Sequence, residues 1–157
     1  MVNLAINGIG RIGKLVLKLL ISKNFNVKCL NELNGNTNSL IHSIEFDSIH
    51  GKWQANIEDG KDEIKIDGKS IKATFVENIN DLSLDDVDIM IDCTGVHKSS
   101  SKLQKYYDKG VKKVIVSAPI NEDNIVNIAY GVNHTIYKPK EHNIITGASC
   151  TTNCIAP

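Results

Sequence analysis

A glycine-rich hexapeptide near the N-terminus, Gly8-Ile9-Gly10-Arg11-Ile12-Gly13, constrains the fold of this chain more than any other stretch. It follows the apolar run Leu4-Ala5-Ile6 and precedes an apolar, periodic segment. In a strand–turn–helix unit, Gly8 makes the tight exit from the strand, Gly10 lets backbone approach a pyrophosphate, and Gly13 allows close packing of helix on sheet. The helix N-terminus then presents N–H groups and a positive dipole end to the phosphates. The hexapeptide therefore predicts a dinucleotide-binding turn.

An acidic residue at the end of the next apolar run supports this prediction. The run Val27-Lys28-Cys29-Leu30-Asn31-Glu32 supplies a second predicted strand, and Glu32 stands 19 positions after Gly13. The dinucleotide fingerprint expects a carboxylate about 20 residues on, where it hydrogen-bonds the ribose hydroxyls. Because a carboxylate at this place repels a 2′-phosphate, the sequence favours NAD over NADP as the cofactor.

Composition limits the class of protein. A chain of 157 residues, 41% hydrophobic and 23% charged, is long enough for one domain with a core and too short for two large ones. Lys plus Arg equals Asp plus Glu at 18 each, so no net field attracts nucleic acid or an anionic membrane. The apolar stretches are of strand length, and the N-terminus lacks a signal-peptide pattern. We therefore expect a cytoplasmic protein with a local binding site and neither a nucleic-acid nor a membrane partner.

The remaining chain alternates strand and helix patterns. Residues 2–7, 11–22 and 25–31 form one predicted βαβ unit, and period-2 alternation on both sides of Asp67-Gly68 predicts an antiparallel hairpin. A short helical stretch is predicted around 40–44 and a longer helix, with caps at both ends, over 99–109. Further strands are predicted at 87–93, 113–116, near 126–131 and at 143–146, and the segment 148–154 is predicted to begin a new helix. The pattern indicates an α/β fold of the Rossmann type, doubly wound, with a mostly parallel sheet and an inserted antiparallel hairpin.

The four cysteines are expected to be thiols in a reducing compartment. Cys150 lies near the start of a predicted helix, where the dipole and unpaired N–H groups favour a thiolate able to attack a carbonyl. The alternative is that Cys150 is a small buried hydrophobic residue. Its place in the sequence leaves both roles open. Cys154 is predicted to pack in the interior, and Cys29 and Cys93 are predicted to be structural. No Cys/His pair matches Cys150 and Cys154 at ligand spacing, so no metal site is expected.

The basic side chains offer fewer candidates. Arg11 is the only arginine, and it faces the cofactor phosphates or forms a surface salt bridge; both readings stay open. None of the histidines is an evident base for Cys150. All five fall in polar loops or at helix ends and are predicted to be solvated: His42, His50, His97, His134 and His142.

Several blocks together resemble one family along the whole chain. They are Ile6-Asn7-Gly8-Ile9-Gly10-Arg11-Ile12-Gly13, Phe46-Asp47-Ser48-Ile49-His50-Gly51, Asp92-Cys93-Thr94-Gly95-Val96, Val114-Ile115-Val116-Ser117-Ala118-Pro119, Gly131-Val132-Asn133 and Ala148-Ser149-Cys150-Thr151-Thr152-Asn153-Cys154. The chain is similar to the N-terminal half of phosphorylating glyceraldehyde-3-phosphate dehydrogenase, and the block around Cys150 resembles the active-site signature of that family.

The resemblance implies a reaction and a division of the chain. It implies that Cys150 attacks a phosphorylated aldehyde, that hydride passes to NAD, and that inorganic phosphate cleaves the thioester to 1,3-bisphosphoglycerate, with Ser149 and Thr151 binding phosphate. Residues 1–148 are then the NAD-binding domain and 149–157 the start of a catalytic domain. The C-terminal half, with its catalytic histidine, lies beyond this chain, so the chain alone should be inactive, and the whole enzyme should be a homotetramer. The implied cofactor-binding residues are Gly8, Gly10, Arg11, Ile12, Gly13, Glu32, Thr94, Gly95 and Ser117.

Departures from the family pattern leave the substrate open. The family commonly has aspartate at the position of Glu32, and Asn31-Glu32-Leu33 is similar to erythrose-4-phosphate dehydrogenase and to a branch associated with arsenate resistance. Trp53 and Gly147 also favour the arsenate branch. An arginine that many members carry is replaced within Val76-Glu77-Asn78, which affects the adenine contact. An isolated NAD-binding module without catalysis is the second hypothesis. The third, nucleic-acid binding, is disfavoured by the zero net charge.

Overall fold

The computed structural model describes all 157 residues as eleven strands, four α-helices and two short 3₁₀ turns. The strands are β1 (Asn3–Asn7), β2 (Asn26–Asn31), β3 (Phe46–Asp47), β4 (Gly51–Lys52), β5 (Ile57–Gly60), β6 (Glu63–Ile66), β7 (Lys69–Thr74), β8 (Ile89–Asp92), β9 (Lys113–Val116), β10 (Val126–Asn127) and β11 (Ile144–Thr146). The helices are α1 (Arg11–Ser22), α2 (Thr37–Glu45), α3 (Ser100–Tyr107) and α4 (Cys150–Ile155), and the 3₁₀ turns span Ile79–Asp81 and His134–Ile136. None of the helices is long and apolar enough to span a membrane.

Nine strands form one sheet in the order β10-β11-β9-β8-β1-β2-β7-β6-β5, and β3 pairs with β4 apart from it. All pairings from β10 to β7 are parallel, whereas β6 and β5 are antiparallel additions at the edge. The six strands β7-β2-β1-β8-β9-β11 follow the doubly wound order 3-2-1-4-5-6. The predicted Rossmann-type fold is therefore confirmed.

The inserted hairpin forms where its turn sequence predicted it. Asp67 and Gly68 both have positive φ, +49° and +80°, as a two-residue type I′ turn requires. On the flanking strands Ile64, Ile66 and Ile71 are buried and alternate with exposed lysines. The hairpin is confirmed, and a third strand, β5, which the sequence did not predict, extends it.

Helices cover both faces of the sheet, because alternate residues of the central strands point to opposite sides. One cluster of 14 buried residues includes Leu103 and Tyr106 of α3. A second cluster of 12 buried residues includes Leu17 of α1 together with Leu40 and Ile44 of α2. The sheet is thus buried on both sides, as a parallel sheet requires.

Several predicted boundaries differ from the structure, and the helix predicted around 40–44 is the longer α2, Thr37–Glu45. α3 begins at Ser100, and the side chain of Ser99 makes no capping hydrogen bond; the Ser100 N–H instead donates to the Glu122 carboxylate at 3.2 Å. The strand predicted near 126–131 is only two residues long, because the Asn133 side chain closes a turn, accepting from Ala129 N at 2.8 Å. The strand predicted over 87–93 spans Ile89–Asp92. α3 ends at Tyr107, two residues before the predicted end at 109, and Gly110 follows in the turn after the helix with φ +90°.

Candidate functional site: a nucleotide groove and an exposed cysteine

The three glycines of the turn occupy different surroundings. Gly8 has φ +88°, and a Cβ there would lie 2.8 Å from Thr94 N, so the backbones of β1 and the β8 loop touch at this point. A Cβ on Gly13 would collide with the carbonyl oxygen of Gly8, so its absence lets α1 pack against the turn. A Cβ on Gly10 would meet nothing within 4 Å. The fold itself thus requires Gly8 and Gly13, whereas Gly10 borders open space that a ligand can enter.

The Glu32 carboxylate is fixed against this turn. Its Oε2 accepts a hydrogen bond from Ile9 N at 2.7 Å, and its Oε1 accepts one from Leu33 N at 2.9 Å. Each carboxylate oxygen has a second lone pair for a further donor. The carboxylate is thus held beside the glycine turn with acceptor capacity left for a diol.

A groove of about 920 Å³ opens beside the turn. It lies between the carboxyl ends of β1, β2 and β8 and the segment 76–79, at the point where the strand order reverses. Open α/β sheets bind ligands at this switch point. Among the predicted cofactor residues, those that line the groove are Gly8, Gly10, Glu32 and Thr94.

The other predicted cofactor residues do not line the groove: Arg11, Ile12, Gly13, Gly95 and Ser117. The side chains of Arg11 and Ile12 are exposed at the start of α1, and Arg11 forms no salt bridge. Ser117 follows β9, where its N–H donates to the Asp92 carbonyl at 2.9 Å. Its position is on the same sheet edge, toward β11.

A buried polar network beneath the groove was missed by the sequence reasoning. Asp92 is fully buried, and its carboxylate accepts from the Tyr106 hydroxyl at 2.8 Å and the Thr94 hydroxyl at 2.7 Å. The Tyr106 hydroxyl accepts from Asn7 Nδ2 at 2.7 Å, and Asn7 accepts from Asn31 at 2.8 Å. Burial, and next the Asp92 charge, raise the pKa of Tyr106 above its usual range. A carboxylate closing an apolar strand is the sequence signal that such partners exist.

His97 belongs to the same network, so the prediction that it is solvated is wrong. Its side chain is 13% exposed, and Nδ1 lies 2.6 Å from Asp92 Oδ2. The loop after β8 folds the ring back over the end of its own strand and against Tyr106, with ring centroids 6.3 Å apart. His97 also lines the groove.

The two strand cysteines lack nucleophilic character. Burial raises the pKa of the Cys93 thiol to about 11. Burial also raises the pKa of Cys29. Both groups stay protonated at neutral pH, in agreement with the structural role predicted for them.

Cys150 is exposed at the first residue of α4 within this chain. Ser149 caps the helix, accepting from Thr152 N at 3.0 Å, and the N–H of Cys150 has no acceptor within the helix. Ser149 and Thr151 precede and follow Cys150 in the chain, and their hydroxyl oxygens lie 3.0 Å apart. The surroundings therefore combine a thiol, a free N–H and two hydroxyls.

The turn before Cys150 has a strained backbone and is held by hydrogen bonds from a side chain of α4. Ala148 has φ +55°, which is unfavourable for a residue with a Cβ. Asn153 holds the turn from the far side, donating to Gly147 O at 2.6 Å and Ser149 O at 2.9 Å. The sequence analysis assigned Asn153 no role. Cys154 is exposed within this chain, as are the other residues of α4, and its packing role stays a prediction.

Comparison with known proteins identifies the family. The family model described as glyceraldehyde 3-phosphate dehydrogenase, NAD binding domain, matches residues 2–100. The chain belongs to this family. A glyceraldehyde-3-phosphate dehydrogenase of Nostoc sp. is 36% identical over 159 residues, one of Streptomyces avermitilis is 37% identical over 160, and the chloroplastic protein of Chondrus crispus is 37% identical over 163.

These matches cover nearly all of the chain but only part of the relatives. Each alignment includes 99% of the chain, against 47%, 47% and 39% of the respective relatives. The chain therefore spans about half the length of the Nostoc and Streptomyces glyceraldehyde-3-phosphate dehydrogenases that it matches. As an NAD-binding domain of this family it has NAD as its cofactor, and the groove beside the glycine turn has the chemistry for that ligand.

Proposed function

We propose that this chain is the NAD-binding half of a phosphorylating glyceraldehyde-3-phosphate dehydrogenase and carries its nucleophile, Cys150. One observation carries the proposal. β1 and β11 belong to the same parallel set of strands, so the glycine turn after β1 and the exposed thiol after β11 lie at the same edge of the sheet. A cofactor bound at this edge and a substrate attached to Cys150 can therefore meet.

The same geometry supports a proposed division of the chain into two parts. Residues 1–148 contain the whole sheet and form the NAD-binding domain, and residues 149–157 begin the catalytic domain. The partner of this half is a C-terminal catalytic half, and the assembled enzyme is a homotetramer, as the family resemblance implies. The coverage of about half of the Nostoc and Streptomyces relatives supports a C-terminal half as the partner.

Each proposed cofactor residue has a physical task. Gly8 and Gly10 leave room for the pyrophosphate, whose charge faces the N-terminus of α1, with Arg11 and Ile12 in its first turn. Glu32 accepts from the ribose hydroxyls and repels a 2′-phosphate. Gly13 secures the packing of α1. The binding site extends along the sheet edge toward Cys150 through Thr94, Gly95 and Ser117, which follow β8 and β9.

The proposed chemistry at Cys150 uses the groups that the chain itself supplies. The thiolate adds to the aldehyde carbon, and the N–H of Cys150 donates to the oxyanion that forms. NAD, when bound, would accept a hydride from the substrate carbon. The substrate then remains attached to Cys150 as a thioester. Ser149 and Thr151 donate hydroxyl hydrogen bonds to inorganic phosphate, which attacks the thioester carbonyl and releases the thiolate and an acyl phosphate.

Calorimetry tests the cofactor part of the proposal. We expect the chain to bind NAD more tightly than NADP, and the Glu32→Ala variant to lose affinity for NAD and discriminate less. Glu58→Ala is the matched control, because Glu58 lies on β5, away from the groove. If the folded wild-type chain binds neither dinucleotide, or if both variants behave alike, the assignment of Glu32 and of the groove is wrong.

Complementation tests the catalytic part. We expect no turnover from the chain alone, because loss of a general base costs about 10²–10⁴ in rate. Mixed with the C-terminal half of the Nostoc relative, it should reduce NAD with glyceraldehyde 3-phosphate only when phosphate is present. Cys150→Ser should abolish this activity and Cys154→Ser should retain it. Activity with erythrose 4-phosphate or arsenate instead would assign one of those branches, and NAD binding without turnover of any substrate would favour the isolated binding module.

A further inference from the structure

An asparagine–glycine pair lies in the loop between β2 and α2, beside the nucleotide groove. Asparagine followed by glycine is the dipeptide most prone to deamidation, because glycine carries no side chain to shield its backbone nitrogen from the neighbouring amide. The chain contains two such pairs, Asn7-Gly8 and Asn34-Gly35, and every other asparagine precedes a residue with a side chain. The two pairs have the same local chemistry but different surroundings.

The Asn7-Gly8 pair is protected by the polar network beneath the groove. Asn7 is buried, its Nδ2 donates to the Tyr106 hydroxyl at 2.7 Å, and its Oδ1 accepts from Asn31 Nδ2 at 2.8 Å. The N–H of Gly8 donates to Asn31 O at 2.8 Å. The amide and the nitrogen that would attack it are therefore each held by hydrogen bonds in a packed interior, and the loss of these bonds opposes their reaction.

The Asn34-Gly35 pair has none of this protection. Both residues are exposed, the Asn34 side chain makes no hydrogen bond within the chain, and neither does the Gly35 N–H. The nearest backbone N–H groups that are held belong to Leu33 and Asn36, which donate to side chains at 2.9 Å and 2.8 Å. The two groups that must react therefore lie in solvent, without hydrogen bonds, between two fixed points of the loop.

We propose that Asn34 is a site of spontaneous deamidation, and that this modification weakens the binding of NAD in the adjoining groove. The Gly35 nitrogen forms a bond to Asn34 Cγ, the Cγ–Nδ2 bond breaks, and ammonia leaves with the proton that the attacking nitrogen gives up. Water then opens the five-membered imide at one of its two carbonyl carbons, which leaves aspartate or isoaspartate at this position. Water is the only co-reactant, and no group is oxidised or reduced.

The new charge falls on the wall of the groove. Asn34 lines the groove, so the carboxylate of either product joins the charged side chains that already line it. These are three carboxylates and two lysines: Glu32, Glu77, Asp81, Lys102 and Lys105. The addition increases an existing excess of negative charge, and like charges repel the pyrophosphate of a bound dinucleotide. This consequence rests on the NAD-binding function proposed above, whereas the deamidation itself does not.

The isoaspartate product also changes the course of the backbone. In isoaspartate the chain runs through the former side chain of Asn34, which inserts one methylene group ahead of Gly35. A Cβ on Gly35 would collide with Ser39 Oγ, so the backbone of Gly35 packs closely against the first turn of α2. A longer link between Leu33 and this contact has to displace the loop. Isoaspartate should therefore weaken NAD binding more than aspartate does.

Peptide mapping by mass spectrometry tests the modification. The folded chain is incubated for days in a mildly alkaline buffer, in which the attacking nitrogen loses its proton more readily, and isoaspartate is detected with an isoaspartyl methyltransferase. We expect Asn34 to be converted while Asn7 stays intact. In the chain unfolded with urea, where Asn7 loses its hydrogen bonds, the two sites should react at similar rates. An intact Asn34, or equal conversion of both sites in the folded chain, would overturn the proposal.

Calorimetry on the same samples tests the effect on NAD. Incubated wild type should bind NAD more weakly than freshly prepared wild type, in step with the converted fraction of Asn34. Fresh Asn34→Asp, which adds the charge without the methylene, should bind up to about fivefold more weakly than fresh wild type, because charges in an exposed setting interact weakly. Asn34→Gln is the matched control: its longer side chain does not form the five-membered imide, so incubation should leave its affinity unchanged.

The two kinds of measurement separate the modification from its consequence. NAD affinity that falls equally in incubated wild type and incubated Asn34→Gln, or that stays unchanged after Asn34 has been converted, would overturn the effect on NAD binding. A folded, freshly prepared wild-type chain that binds no NAD would overturn the NAD-binding function, and the peptide map would still decide whether Asn34 is modified.

Discussion

At the scale of single residues, the glycine turn separates the demands of the fold from those of the ligand. Gly8 lies in the left-handed region, and a Cβ there would press on the backbone of Cys93 and Thr94. Gly10 has φ −73°, which any residue adopts, and it borders open space. The sequence pattern predicts a turn role for Gly8 and a ligand role for Gly10, and the surroundings of the two glycines agree with that division.

Replacement of each glycine by alanine should therefore give opposite results. We expect Gly8→Ala to lower the free energy of unfolding by about 1–3 kcal/mol, through strained backbone and steric contact. Gly10→Ala should leave stability within ~0.5 kcal/mol of the wild type and weaken NAD binding, because its methyl group occupies ligand space. Urea unfolding and NAD calorimetry on both variants measure the two effects. Equal loss of stability in both would contradict this division.

At the scale of elements, an ion pair links α1 to the segment that follows α2. Lys14 Nζ lies 2.6 Å from Asp47 Oδ2, and both side chains are largely covered. Asp47 also accepts from Ile49 N at 2.9 Å and His50 N at 2.8 Å. The Lys14 ammonium, followed by these two N–H groups, lowers the pKa of Asp47 far below its usual range. Asp47 thus connects the helix of the glycine turn to the β3–β4 segment.

The lowered pKa fixes the sign of the pH effect. The contribution of Asp47 to stability is fully present above the unfolded value of 3.8 and is lost progressively as the pH falls below it. We expect Asp47→Asn to be less stable than the wild type near neutral pH, with the difference shrinking in acid. Chemical unfolding at a series of pH values measures this difference. Asp59→Asn, an exposed change on β5, should show no such trend. A difference that stays constant with pH would rule out the ionised Asp47 as its source.

Elements defined by local chemistry could be predicted from the sequence. The glycine turn and the Asp67-Gly68 hairpin were predicted because their backbone angles depend on the turn residues themselves. β5 was missed, because Ile57–Gly60 lacks alternation and pairs only once β6 is in place. Exposure of Cys150 was left open, because it depends on whether anything packs over α4. The role of His97 was missed, because the ring meets Asp92 only after the loop between β8 and α3 has folded back.

At the scale of the whole molecule, one polar network beneath the groove connects the strands on either side of the switch point. Thr74 of β7 donates to Asn31 Oδ1 at 2.9 Å, and Asn31 of β2 donates to Asn7 of β1 at 2.8 Å. From Asn7 the network continues through Tyr106 of α3 to Asp92 of β8. It therefore crosses the switch point and links strands on both sides of the cofactor site. Asparagines at strand ends were indistinguishable from turn residues in the sequence.

The Tyr106 hydroxyl is the link whose removal tests this network. We expect Tyr106→Phe to lower the free energy of unfolding by about 1–3 kcal/mol, because Asn7 Nδ2 and one position on Asp92 lose their buried partner. Tyr107→Phe is the matched control: its hydroxyl donates to Asn143 O at 2.8 Å in an exposed setting, and solvent can replace it. Its loss should cost no more than ~1 kcal/mol. Because the network also holds His97, Tyr106→Phe should in addition weaken NAD binding, whereas Tyr107→Phe should not. Equal stability losses with unchanged NAD affinity in both variants would show that the network does not couple the core to the groove.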